Sequence, residues 1–116
     1  MAETKLKTRS PFVAAEALDV GASAETIAAA KGGAIPQNTG RIHFYVPASK
    51  TIRWVPNGTP TTSLGHLVSA QNWGVLEHNQ HGAKLKSGDS GDVALIIVYE
   101  RGAGRADAAY SLTAPY

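Results

Sequence analysis

Histidine residues are the first side chains in this sequence whose spacing could support chemistry. His78 and His81 stand three positions apart and His66 precedes them, so their imidazoles could supply two or three ligands to a zinc ion. That spacing brings two rings together only on a helix or a tight turn. The nearest acidic residue is Glu77, and the chain contains no cysteine. We therefore interpret the histidines as surface residues of a turn, and we predict no metal site and no cofactor.

The run Gly88-Asp89-Ser90-Gly91 sets a serine between turn residues, where a nucleophile could stand. Serine nucleophiles work with a histidine far upstream and with an oxyanion hole, in chains about twice this long. Gly, Asp and Ser also build tight turns, which is our interpretation of the run. Asp89 and Asp92 could bind calcium, but the loop lacks the dense acidic and amide alternation of such sites. Without paired carboxylates in a cleft context or a phosphate-binding loop, the chain is predicted not to be an enzyme.

Basic and aromatic side chains in the middle of the chain could stack on single-stranded nucleic acid. They are Arg41, Tyr45, Lys50, Arg53 and Trp54. Strand parity places Trp54 on the inward side and Arg53 on the opposite side, and a net charge of +2 attracts polyanions weakly. Nucleic acid is therefore not the predicted partner. A carbohydrate-binding module is a separate alternative, with Tyr45, Trp73, His78 and His81 against a sugar.

Alternating apolar residues predict that strands position these side chains. Residues 41–46 place Ile42, Phe44 and Val46 on one side, and residues 50–55 resemble an adjacent antiparallel strand after a short turn. Residues 92–100 are apolar on both sides, which predicts a central strand covered on both faces.

Shorter patterns complete the prediction of a mainly β fold, a compact antiparallel β-sandwich or barrel. Further strands are predicted at 65–68, 73–78 and 84–86, and a short helix near 24–31 between a Ser23 N-cap and a Gly32 C-cap. Residues 12–20 are compatible with helix or strand, because their Ala, Glu and Leu residues favour helix, and strand is the preferred interpretation. Residues 1–11 are predicted to form an extended N-terminal arm, 12–105 a single domain, and 106–116 a C-terminal tail or final strand.

Composition bounds the class of protein further. The 116 residues fit one domain, and charged residues make up 17%, below the roughly 25% usual for soluble domains. A surface with few charges is typical of a protein that covers itself with a partner. The N-terminus shows no apolar signal-peptide core, and no apolar run is long enough to span a membrane.

The stretch from Ile52 to Val68 contains the letters RW, then GTPT, then GHL, and the apolar run GDVALIIVY follows at 91–99. From Arg41 to Glu100 this pattern resembles small virion structural proteins of tailed bacteriophages, of the capsid decoration or cement type. The resemblance implies a compact β-sandwich with a structural role on the head or tail. The segments before Arg41 and after Glu100 exceed the short versions of the pattern, and they suit arms that lie on neighbouring subunits.

The resemblance implies a protein that decorates and stabilises a phage capsid surface through homo-oligomeric lattice contacts, with a trimer preferred. It would be made in the host cytoplasm and located on the virion, with the major capsid protein or another virion protein as its partner. A tail or neck component of the same fold is one alternative, and a carbohydrate-binding adhesion module on the particle is another. The predicted capsid or subunit contacts are Lys5, Lys7, Arg9 and Phe12 in the arm and Tyr110, Leu112 and Tyr116 in the tail.

Overall fold

Two four-stranded antiparallel sheets share one hydrophobic core. The computed structural model describes residues 11–61, 63–88 and 91–102. Its β-sandwich-like fold with one short helix confirms the predicted mainly β class. Of the predicted arm, residues 1–10 lie outside the described residues, as does the predicted tail at 106–116.

Eight strands, one helix and one 3₁₀ turn follow one another along the chain. They are β1 Phe12–Val20, β2 Glu25–Thr26, α1 Ile27–Lys31, β3 Thr39–Tyr45, β4 Ile52–Val55, β5 His66–Val68, β6 Trp73–Leu76, the 3₁₀ turn His78–Gln80, β7 Lys84–Ser87 and β8 Val93–Arg101. Sheet A has the strand order β1-β8-β3-β6, and sheet B has the order β2-β7-β4-β5. No helix in the described part of the chain is long and apolar enough to cross a membrane.

Period-two alternation places one side of each long strand in the core. Ile42, Phe44 and Val46 are fully buried, as their spacing predicts. On β8 the inward side chains are Val93, Leu95, Ile97 and Tyr99, all fully buried. In sheet B, Ile52 is buried and Trp54 packs against the core, which confirms the inward orientation that strand parity predicts.

The prediction that residues 41–46 and 50–55 pair as neighbouring strands is wrong. β3 pairs with β6 and β8 in sheet A, whereas β4 pairs with β5 and β7 in sheet B. The connector between them turns at Pro47, whose carbonyl accepts from the Lys50 amide at 3.3 Å, and Ser49 adopts a positive φ of 67°. The chain therefore crosses from one sheet to the other, where a hairpin would have kept both strands in one sheet.

The helix begins later than predicted. Thr26, not Ser23, is its N-cap, and the Thr26 Oγ1 accepts from the Ala29 amide at 3.1 Å. The residues just before it pair with β7 as the short strand β2, which removes them from the helix. The predicted C-cap is confirmed, since Gly32 adopts the left-handed conformation at a φ of 74°.

The RW pattern lies in β4, GTPT lies in the connection from β4 to β5, and GHL leads into β5. Hydrogen bonds close this connection into a loop. Arg53 Nη1 donates to the Gly65 carbonyl at 2.9 Å, and the Leu64 amide donates to Thr61 Oγ1 at 2.9 Å. Gly65 has a φ of +126°, a conformation that side chains disfavour. These residues therefore hold a loop in shape at one end of sheet B.

Candidate functional site

The outer side of sheet A carries exposed apolar side chains across all four strands. The prediction that β8 is covered on both faces is wrong for the described residues, because Ile96, at the middle of its outer side, is 49% exposed. One cross-strand row contains Ala17, Ile96, Tyr45 and Trp73, and the next contains Ala15, Val98, His43 and Val75. We call these two rows, together with Phe12 at their border, the open face.

Two aromatic rings form one corner of the open face. Tyr45 and Trp73 are cross-strand partners, with ring centroids 5.1 Å apart and planes tilted by 54°. That geometry lies within the favourable range for aromatic pairs, so the two side chains stabilise each other's position. Trp73 is nevertheless 52% exposed, so the pair presents a preformed apolar surface to solvent.

A shallow groove crosses the open face. It has a volume of about 320 Å³ and is lined by Phe12, His43, Trp73 and Val98. That volume is at the small end of the range for ligand pockets, roughly 300–1,000 Å³. Three of its four lining residues are apolar, so the groove fits apolar side chains better than a charged ligand.

A network of polar and charged side chains extends from His43, which lines the groove. His43 Nε2 lies 2.7 Å from Glu100 Oε1, and Arg41 Nε donates to Glu77 Oε1 at 3.1 Å. A second Arg41 nitrogen lies 3.9 Å from Glu100 Oε1. The groove therefore has a polar border at His43, where these groups bind one another, and an apolar lining at Phe12, Trp73 and Val98.

On the inward side of sheet A, Tyr99 is linked to α1 through the Glu16 carboxylate. Its hydroxyl donates to Glu16 Oε2 at 2.5 Å, and Lys31 Nζ of α1 lies 3.5 Å from the same oxygen. Burial, then the hydrogen bond to the Glu16 carboxylate and the charge of that carboxylate, raise the pKa of the Tyr99 hydroxyl. The protonated hydroxyl is therefore part of the folded structure.

This tyrosine should make the protein lose stability at alkaline pH. The unfolded chain releases the tyrosine proton above about pH 10, whereas the folded chain retains it. The contribution is complete below that pH, and the free energy of unfolding falls by up to about 1.4 kcal/mol per pH unit above it. Tyr99→Phe lacks this ionisation, so urea unfolding should show a shallower loss of stability between about pH 9 and about pH 11. Identical slopes for both proteins would contradict the assignment.

The histidines considered as metal ligands lie apart. His66 of sheet B stacks on Trp54 with centroids 4.9 Å apart, while His81 Nε2 lies 2.7 Å from the Gly40 carbonyl oxygen. His78 begins the exposed 3₁₀ turn. The described residues contain no group of three His, Cys, Asp or Glu side chains that could hold a metal ion.

The run at 88–91 connects β7 to β8. Gly88 donates its amide to the Thr51 carbonyl at 2.9 Å, and Gly91 has a φ of 89°. Asp89 and Ser90 lie outside the described residues.

The basic and aromatic residues considered for nucleic acid do not share a face. Arg41 and Tyr45 belong to sheet A, whereas Arg53 and Trp54 belong to sheet B. Of the carbohydrate set, the structure brings Tyr45 and Trp73 together.

Of the predicted contact residues, Phe12 lies on the open face and is 49% exposed. The other six predicted contacts lie outside the described residues: Lys5, Lys7, Arg9, Tyr110, Leu112 and Tyr116. Sequence reasoning missed His43, Ile96 and Val98 as site residues. The signal for Ile96 and Val98 was the second apolar side of residues 92–100, which the sequence analysis interpreted as buried.

No protein-family model, curated protein or solved structure matches this chain. The chemistry of the open face is therefore the basis on which a function can be argued.

Proposed function

We propose that the protein is a non-enzymatic virion structural protein that decorates and stabilises a phage capsid surface, and that the open face is its docking surface. The observation that carries the docking role is the exposed apolar surface across all four strands of sheet A, with Ile96 at its centre. Contiguous exposed apolar patches on soluble proteins mark interaction sites. Covering such a patch stabilises a complex by roughly 25 cal/mol per Å² of apolar surface removed from water.

The virion part of the proposal is supported by the resemblance between Arg41 and Glu100 and by the β-sandwich-like fold, which is of the class that the resemblance implies. The proposal places the protein on the capsid as a homo-oligomer, preferably a trimer, in contact with the major capsid protein or another virion protein. Repeated copies on a symmetric shell make many contacts at once, so individually weak contacts give stable binding.

A lysine at the centre of the open face should abolish docking. Ile96→Lys places a charge in the apolar surface, and Leu67→Lys is the matched control, because Leu67 is equally exposed, at 50%, on sheet B. We expect light scattering to show a homo-oligomer for the unchanged protein and for Leu67→Lys, and a monomer for Ile96→Lys. Co-sedimentation with undecorated capsids of the phage that encodes the protein should fall by about tenfold or more for Ile96→Lys alone.

Thermal unfolding of both variants establishes that each is folded, since exposed substitutions usually change stability by no more than about 0.5 kcal/mol. An Ile96→Lys protein that keeps its oligomeric mass and its capsid binding would exclude the open face as the docking surface. An unchanged protein that is monomeric and binds no capsid would contradict the virion role. Immunogold labelling of particles separates the capsid surface from a position on the tail or neck.

Carbohydrate binding is the second function that an observation favours. The Tyr45–Trp73 pair offers two adjacent rings, and His43 and Glu100 stand beside it as hydrogen-bonding groups. In that case Trp73→Ala should lose binding to a glycan array while Leu67→Lys retains it. An array without any bound sugar removes this alternative.

A further inference from the structure

We propose that the open face of one copy is covered by residues 106–116 of a neighbouring copy. This inference rests on the proposed docking role of the open face and names the occupant of that face. It follows from where the chain leaves sheet A, from the chemistry of the residues that come next, and from the position of the groove.

The chain leaves sheet A from a central strand whose end is held on both sides. The Arg101 amide donates to the Pro11 carbonyl at 2.6 Å, and the Gly102 amide donates to the Asn38 carbonyl at 2.7 Å. A Cβ on Gly40 would come within 2.5 Å of the Gly102 Cα, so the backbones at this point are in close contact. Gly102 is therefore fixed at the end of sheet A, and residues 103–116 follow from that point.

Residues 106–116 are mostly apolar or small. Between positions 106 and 116, Asp107 is the single charged residue. Tyr110, Leu112 and Tyr116 are separated by even numbers of residues, so an extended backbone would place all three on one side. This side complements a flat apolar surface, and eleven residues reach up to about 36 Å, more than the roughly 15 Å between the outer strands of a four-stranded sheet.

The groove lies at the end of sheet A from which the chain leaves. Phe12, which lines the groove, is the register partner of Glu100, close to the last residue of β8. A copy that meets another at this end can therefore lay its residues 106–116 across the open face of that neighbour over a short distance, and three such head-to-tail contacts would close a trimer. Covering its own open face would require the chain to reverse direction within residues 103–105, directly after a backbone held on both sides. The exchanged arrangement avoids that reversal and joins copies to one another.

Disulfide trapping can test the exchange cleanly because the chain has no cysteine. Ala17→Cys puts a thiol on the open face, and Ala114→Cys puts one at the same parity as Leu112. Lys84→Cys, on β7 of sheet B, replaces Ala17→Cys in the control. One partner carries a size tag, and the full-length single-cysteine proteins are mixed and oxidised.

We expect a mixed disulfide between the Ala17→Cys and Ala114→Cys chains at a yield about tenfold above that of the Lys84→Cys control. Deleting residues 106–116 should weaken self-association by about tenfold or more. It should also increase dye binding to the open face. A third variant carries both cysteines on one chain. A disulfide that forms only within this variant, with no mixed disulfide between the single-cysteine proteins, would show that the segment covers its own copy, which overturns the exchange.

Different experimental results would contradict the exchange and the docking role. If no disulfide forms above the control level while Ile96→Lys still dissolves the oligomer, the exchange is wrong and the docking role of the open face stands. If Ile96→Lys leaves mass and capsid binding unchanged, the docking role is itself wrong.

Discussion

Replacing Phe44 by Ala is expected to lower the free energy of unfolding by about 3–5 kcal/mol. The Phe44 side chain is fully buried on the inward side of β3, in the core shared by both sheets. Its removal takes a large apolar group out of the core and leaves a cavity that the surrounding strands can fill only in part. Since domains of this size are stable by about 5–15 kcal/mol, the loss should leave Phe44→Ala marginally folded.

Urea unfolding followed by circular dichroism measures this loss. Phe12→Ala is the matched control, because it makes the same chemical change at a side chain that is 49% exposed. We expect the control to change the free energy of unfolding by about 1 kcal/mol or less. Equal losses for the two variants would show that Phe44 is not the core residue that its burial indicates.

Gly74→Ala is expected to cost about 1–3 kcal/mol, although it adds one methyl group. Gly74 is the cross-strand partner of Phe44, and a Cβ at this position would stand 2.2 Å from the Phe44 Cζ atom. The ring would have to move, and protein cores are packed closely enough that such a shift is costly. Gly82→Ala is the control, since a Cβ there would meet no atom within 4 Å.

A double variant isolates the contact. If the Phe44 ring is what the new methyl group meets, combining Gly74→Ala with Phe44→Leu should cost less than the sum of the two single losses. Simple additivity of the losses would show that the Phe44 ring is not what the new methyl group meets. The same denaturation measurements on the four proteins give the coupling free energy directly.

The candidate site was only partly visible in the sequence. Phe12, Tyr45 and Trp73 stand out from their residue types alone, and they lie on one surface because β1, β3 and β6 share sheet A. The residue types of Ile96 and Val98 do not distinguish a surface site from a buried core. An apolar run on both sides of a strand indicates burial, and whether another layer covers the second side depends on residues far away in the chain.

Neighbouring residues determine which segments form strands or a helix, whereas contacts between distant residues determine which strands pair. Alternation by two identified β3, a continuous apolar run identified β8, and a glycine free to adopt a positive φ ended α1, because side-chain pattern and backbone freedom are properties of neighbouring residues. The pairing of β4 with β7 instead of β3, and the conversion of residues 25–26 from helix to strand, depended on hydrogen bonds across the chain. The sequence by itself determined a mainly β chain with a period-two core. Only the tertiary structure decided which apolar side faces the core and which remains open, because that choice is made by the sheet that packs against it.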